Sequence, residues 1–198
     1  MHVPLPHLDP SGNSSLRSIL VLGGSSGVGA AAIQLLRLAL PSATILTTSS
    51  DKHHAHLVSL GATKCFERSA QENTSAIKAA TPGGSGVDAI LDAVTAAASQ
   101  PTVFTALSPA GAKIYSQVVT GQDVDVPRGI KSTAVFGRQI FAAKGEMTAM
   151  PGLATLVQNG KYRLPLKIEI VGKGFETIER GLDKLMKGVS GTKYVVSL

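Results

Sequence analysis

The stretch Ser18-Ile19-Leu20-Val21-Leu22-Gly23-Gly24-Ser25-Ser26-Gly27-Val28-Gly29 decides how this chain folds. Ile19 to Leu22 is an unbroken apolar run, the pattern of a parallel strand buried on both faces. Gly23 and Gly24 end it. Val28, Ala31, Ala32, Leu35 and Leu36 then recur at three- and four-residue spacing, until Pro41 stops the pattern just past Leu40. A strand, a tight turn and an amphipathic helix therefore follow one another directly. Glycine permits positive φ and close backbone approach. The unpaired N–H groups that open a helix, at the positive end of its dipole, can hold a pyrophosphate. The spacing departs from G-x-G-x-x-G, because Ser25 and Ser26 fill places where that pattern often shows glycine.

Outward from this unit the alternation continues. Ala43–Thr48 reads as a strand, His53–Leu60 as a helix closed by Gly61, and Lys64–Phe66 as a short strand. Gln71–Ala80 is expected to be a helix, Val87–Asp92 a strand, Gln100–Leu107 a helix and Ala112–Val119 a fifth strand. A polar loop over Val118–Lys131 leads to a sixth strand, Ser132–Ala142, and then to a helix over Pro151–Asn159 with Pro151 in its first turn. Right-handed crossovers between parallel neighbours give the expected class: α/β, a Rossmann-like doubly wound parallel sheet with helices on both faces. The last segment changes character. Lys167–Val171 is strand-like, Phe175, Ile178, Leu182, Leu185 and Met186 mark a helix, and Lys193–Val196 forms a last strand. The expected division is an N-terminal extension over 1–17, the nucleotide-binding domain over 18–163 and a distinct C-terminal segment over 164–198.

Composition narrows the function. Of 198 residues 43% are apolar, enough for one core. The formal charge of +6 is scattered, with no basic run or aromatic-interleaved stripe, so a nucleic-acid partner is not expected. No apolar stretch is long enough for a bilayer, and the opening residues lack the basic start and apolar run of a leader. One cysteine, Cys65, excludes an internal disulfide and a cysteine-based zinc site. A reducing, cytoplasmic setting is the expectation. His53, His54 and His56 lack a carboxylate or thiol at useful spacing, so no metal is expected. No G-x-S-x-G turn supports a hydrolase, and Tyr115 stands two positions from Lys113, a spacing that favours strand-core packing over a Tyr/Lys catalytic pair.

The end of the second strand addresses the coenzyme. An NAD-selective site places an acid there, about twenty residues past the glycine turn, to bind the ribose 2′-hydroxyl. This chain has Thr48, Ser49 and Ser50 instead, and Asp51 reads as the start of a helix. Ser50 can donate to a phosphate and Lys52 adds a cation, so NADP(H) is preferred over NAD(H).

These residues resemble the medium-chain dehydrogenase/reductases, in particular the quinone-oxidoreductase-like and fungal trans-acting enoyl reductase branch. The likeness runs through Gly23 to Leu36, Ser59-Leu60-Gly61-Ala62, Val87 to Val94 and Val189-Ser190-Gly191-Thr192-Lys193. The resemblance implies that Gly24, Ser25, Ser26, Gly27, Val28 and Gly29 cradle the coenzyme phosphates. It sets Ser50 to His53 where the fungal enzymes carry a phosphate-contacting Ser-Pro-Lys-Asn; Asp51 and His53 depart from that pattern. It places Ala93 and Val94 at the adenosine half and Ser116 and Gln117 near the nicotinamide half. Val189 and Ser190 fall on a late loop returning to the coenzyme, though both also read as plain turn residues. Arg68 stands where the family has a tyrosine near the 2′-phosphate. It reads either as a phosphate partner or as a solvated arginine.

The resemblance also implies a GroES-like domain before the first strand, which is not expected within these 198 residues, and a C-terminal segment that completes a catalytic domain. The apolar faces of that segment are expected to be covered by self-association or a partner chain. Two functions follow: a reductase of an activated C=C or C=O drawing hydride from NADPH, or a non-catalytic NADPH-holding accessory that docks on another protein. A truncated gene product with no separate role is a third possibility.

Overall fold

The computed structural model describes residues 3–5, 12–137 and 146–198. Six strands, Ser18–Leu22 (β1), Thr44–Thr48 (β2), Lys64–Phe66 (β3), Ala89–Asp92 (β4), Ile114–Val118 (β5) and Lys131–Val135 (β6), form one parallel sheet in the order β3-β2-β1-β4-β5-β6. The order reverses at β1, so the chain winds outward first to one side and then to the other. The ends of the central strands come level there: Leu22 is paired with Thr48 on one side and with Asp92 on the other. A ligand crevice belongs at such a switch point, beyond the carboxyl ends of the strands.

Apolar residues on both faces of β1 explain its central place. Ile19 and Val21 pack with Ala30, Ile33 and Leu36 of the helix Gly27–Ala39 (α1) and with Leu57 of the helix His54–Ser59 (α2). Leu20 and Leu22 point the other way, into a cluster with Ile77 of the helix Ser75–Ala79 (α3), Val103, Phe104 and Tyr115. Each of these four β1 side chains is fully buried, a contribution of about 1.5–3 kcal/mol apiece.

Some helices differ from their sequence reading. The expected helix over Gln71–Ala80 is instead a 3-10 turn, Arg68–Gln71, followed by the short α3. The Asn73 side chain accepts from Ser75 N at 3.1 Å, a local bond that competes with helix propagation. Gln100–Leu107 becomes a 3-10 helix over Pro101–Ala106, where β-branched Thr102, Val103 and Thr105 disfavour the α form. Pro151 lies inside the helix Glu146–Gln158 (α4) rather than in its first turn, because good helix formers precede it. The sixth strand ends at Val135, and positions 138–142 of the expected strand lie outside the described residues.

A second, two-stranded parallel sheet pairs Lys167–Lys173 (β7) with Thr192–Ser197 (β8), crossing over through the helix Ile178–Met186 (α5). It is tied to the main body by side chains. Gln34 Nε2 donates to Arg163 O and Arg163 N donates to Gln34 Oε1, both at 3.1 Å, while the Arg163 guanidinium reaches Ser59 O at 2.9 Å. Among the described residues no helix is long and apolar enough to cross a membrane.

Candidate functional site

The turn between β1 and α1 is tightly packed. Gly23 adopts φ 73°, and a Cβ on it would stand 2.5 Å from Val94 Cγ1, so only glycine fits. Ser26 caps the helix: its Oγ accepts from Gly29 N at 3.0 Å and its carbonyl from Ala30 N at 2.9 Å. A helix start leaves four amides without intrahelical partners. The Ser26 amide donates to Gly23 O at 2.9 Å and that of Gly29 to Ser26 Oγ, and among the described residues no acceptor reaches those of Gly27 and Val28. Two N–H groups at the positive end of a 13-residue helix are thereby available to an anion.

Beside this turn lies a cleft of about 410 Å³. Gly23, Ser25 and Ser26 line it from the β1–α1 turn, Thr48 from the end of β2, and Arg68 and Gln71 from the turn after β3. Val94, Ala96, Ser99 and Gln100 line it from the loop after β4, and Val189, Ser190 and Gly191 from the loop before β8. Among the described residues Arg68 is the one charged side chain on this lining, and no carboxylate reaches it.

The β4 wall is held by Asp92, which is fully buried. Its carboxylate accepts from Val94 N at 3.2 Å, Ala96 N at 2.9 Å, Ala97 N at 2.9 Å and the Tyr115 hydroxyl at 3.0 Å. This pins the loop through Thr95, whose φ of 55° is left-handed. Burial, and then the Asp92 charge, push the Tyr115 hydroxyl well above the ordinary phenol range. Tyr115 is thus a packed structural donor, as its sequence context predicted.

At the β2 end, Thr48 and Ser49 are buried and Gln71 Nε2 donates to Thr48 Oγ1 at 2.7 Å. Ser49 Oγ donates to Ser50 O at 3.2 Å. Ser50 precedes a 3-10 turn, Asp51–His53, and Lys52 is exposed on it. His53 Nε2 and Ser190 Oγ are 2.7 Å apart, joining this rim to the loop before β8. Burial first, then the neighbouring Lys52, His56, Arg68 and His54, lower the pKa of His53 below the usual histidine value.

Of the residues singled out from sequence, Ser25, Ser26, Arg68, Val94, Val189 and Ser190 line the cleft. Gly24 and Gly29 lie behind it in the packing of the turn, and Val28 faces a separate apolar groove with Leu164 and Leu166. Ser49, Ser50, Lys52 and His53 are on the β2 rim, off the lining itself. Ala93 is buried beneath Val94, its N–H donating to Leu22 O at 3.2 Å. Ser116 and Gln117 are on β5 and do not line the cleft. Sequence reasoning named Gly23, Thr48 and Gly191 in its motifs without assigning them to the site, and left out Gln71, Ala96, Ser99 and Gln100. Gly23 and Thr48 could have been found as the last positions before the turns at the ends of β1 and β2; Gln71 had no local signal.

The profile of the zinc-binding dehydrogenase family matches residues 27–152. The chain belongs to this family. Within the medium-chain dehydrogenase/reductases it is similar to a trans-enoyl reductase of Penicillium oxalicum, 32% identical over 198 residues that cover 90% of this chain and 50% of the relative. Among solved structures it superposes on the enoyl reductase CurK with a TM-score of 0.70 at 20% identity, covering 98% of this chain and 57% of that one. It also superposes on an NAD-dependent alcohol dehydrogenase, with a TM-score of 0.72 at 20% identity and coverage of 99% and 57%. These likenesses show the fold. This member of the zinc-binding dehydrogenase family spans about half the length of the curated relatives it matches. The metal in the family's name has no ligand set here: among the described residues no three His, Cys, Asp or Glu side chains are grouped to hold an ion. His53, His54 and His56 bond to three separate oxygens, of Ser190, Ser49 and Pro165. Burial pushes the Cys65 thiol up to about 11.

Proposed function

We propose that this chain is the NADP(H)-holding part of a cytoplasmic oxidoreductase that reduces an activated C=C or C=O when a catalytic region complements it. The observation that carries the reading is the composition of the cleft, whose lining holds the Gly23, Ser25 and Ser26 turn that leads into α1, a single arginine and no carboxylate. The Gly27 and Val28 amides would hold the pyrophosphate. Thr48 occupies the place where an NAD-selective site sets an acid against a 2′-phosphate, and Arg68 supplies a cation near it. The bound coenzyme supplies hydride; the chain orients it, with the loop 189–191 closing one side of the cleft. The similar enoyl reductases and dehydrogenases support the reaction class.

The test is calorimetric titration of the chain with NADPH and NADH. Wild type should prefer NADPH, and Arg68→Ala should lower that preference about tenfold or more, the loss of a charge-assisted contact. An unchanged ratio would remove Arg68 from the site, and no binding of either coenzyme would overturn the reading.

A second reading, an NADPH-holding accessory without turnover that docks on another protein or a second copy, is favoured by one observation. The β7–α5–β8 unit exposes Phe175 at 73%, Ile170 at 64% and Met186 at 87%. Tight coenzyme binding with no NADPH oxidation by enones or quinones would support it over the first.

A further inference from the structure

Gln71 is 4% exposed, yet it lines the cleft. Its amide nitrogen is committed: Nε2 donates to Thr48 Oγ1 at 2.7 Å, and Thr48 is itself fully buried at the end of β2. With the nitrogen fixed there, Oε1 is the free end of the amide, and among the described residues no donor reaches it. A buried carbonyl oxygen left without a donor is destabilising, and a side chain held in that state is preset for a ligand N–H. Its neighbours give the shape of that ligand. Val94 and Ala96 offer apolar surface, Ser99 and Gln100 offer polar atoms, and the phosphate turn at Ser25 and Ser26 lies on the same lining. In a doubly wound sheet the adenosine half of a dinucleotide lies over the second strand, the side on which Thr48, Arg68 and Gln71 stand.

We infer that Gln71 reads the purine of the coenzyme, its Oε1 accepting from the exocyclic amine of adenine, so that the cleft selects a 6-amino over a 6-oxo base. The inference rests on the NADP(H) reading and adds the group that distinguishes the base. A 6-oxo purine would bring an acceptor against an acceptor, leaving Oε1 unpaired. Arg68 acts on charge and is indifferent to the base; Gln71 acts on the base and is indifferent to the 2′-phosphate.

The probes are NADPH and its hypoxanthine counterpart, nicotinamide hypoxanthine dinucleotide phosphate, titrated calorimetrically into the full chain. Wild type should bind NADPH about fivefold to tenfold more tightly, the discrimination expected of one hydrogen bond. Gln71→Leu should bring the ratio to about one, and Gln71→Glu, which keeps an acceptor at the same reach, should retain the preference for adenine. A wild-type ratio near one, or a preference that survives in Gln71→Leu, overturns the role of Gln71 while leaving the coenzyme reading intact. Failure of the wild-type chain to bind either dinucleotide overturns the coenzyme reading itself.

Discussion

Two glycines on one helix, two positions apart, give opposite expectations. A Cβ at Gly29 would press on the carbonyl oxygen of Gly23 and stand 2.9 Å from Gly24 Cα, backbone atoms that cannot rotate aside. Overpacking of this kind costs about 1–3 kcal/mol, and the upper end applies where backbone must move. Displacing the turn also loosens the Ser26 cap on Gly29 N, worth about 1 kcal/mol. Alanine returns about 1 kcal/mol in helix propensity. The net for Gly29→Ala is a loss of about 3 kcal/mol. At Gly27 a Cβ meets only Leu166 Cδ1, at 3.7 Å, an ordinary contact, so Gly27→Ala should be neutral or gain up to about 1 kcal/mol. Urea unfolding followed by far-ultraviolet circular dichroism measures both against wild type. A Gly29→Ala protein as stable as wild type would refute the account of the turn as a packed, glycine-only junction.

Asp92→Asn turns an accepting oxygen into an N–H group that faces other donors, and should cost about 3 kcal/mol; Tyr115→Phe removes one bond to the same carboxylate and should cost about 1.5 kcal/mol, the ordering being readable from the same unfolding curves. Cys65 ionises near 11 in the folded chain against 9.0 for an ordinary thiol, so the folded state holds its proton more tightly. Stability from this group is complete below about pH 9 and falls as pH rises toward 11, and iodoacetamide labelling of the folded chain should accelerate only over that same interval.

The centre of the main sheet was legible because β1, β2 and β4 carry short apolar runs, and the helices after β1 and β2 have clear stops. Ile19 to Leu22 could be buried only between two layers, and Pro41 and Gly61 closed the first two helices where the pattern broke. Short elements without that patterning were misread. Arg68–Gln71 and Pro101–Ala106 are 3-10 turns whose form depends on side chains bonding to backbone or to distant strands. Gln71 belongs to the cleft because Thr48 draws it there across 23 positions of sequence, a contact that no local spacing encodes. Val189 and Ser190 entered through likeness to relatives, since nothing in a turn rich in glycine announces that it returns to a strand end.

The two halves of the cleft are one mechanical unit. Asp92 fixes Val94 through its amide, and the Val94 side chain packs where a Cβ on Gly23 would be. Loosening the β4 loop therefore frees Gly23 from the contact that compresses the phosphate turn, and a side chain on Gly23 would push the β4 loop off its carboxylate. A buried acid on β4 thus sets the packing of the turn between β1 and α1. The order β2-β1-β4 makes this coupling unavoidable, because the Leu22 end lies between Thr48 and Asp92 and the cleft lining begins at Gly23, Thr48 and Val94, within two residues of that line. Perturbations of Asp92 should consequently weaken NADPH and NADH alike, since the amides proposed to hold the pyrophosphate would serve both, whereas Arg68 and Gln71 should each move one ratio and leave the other unchanged.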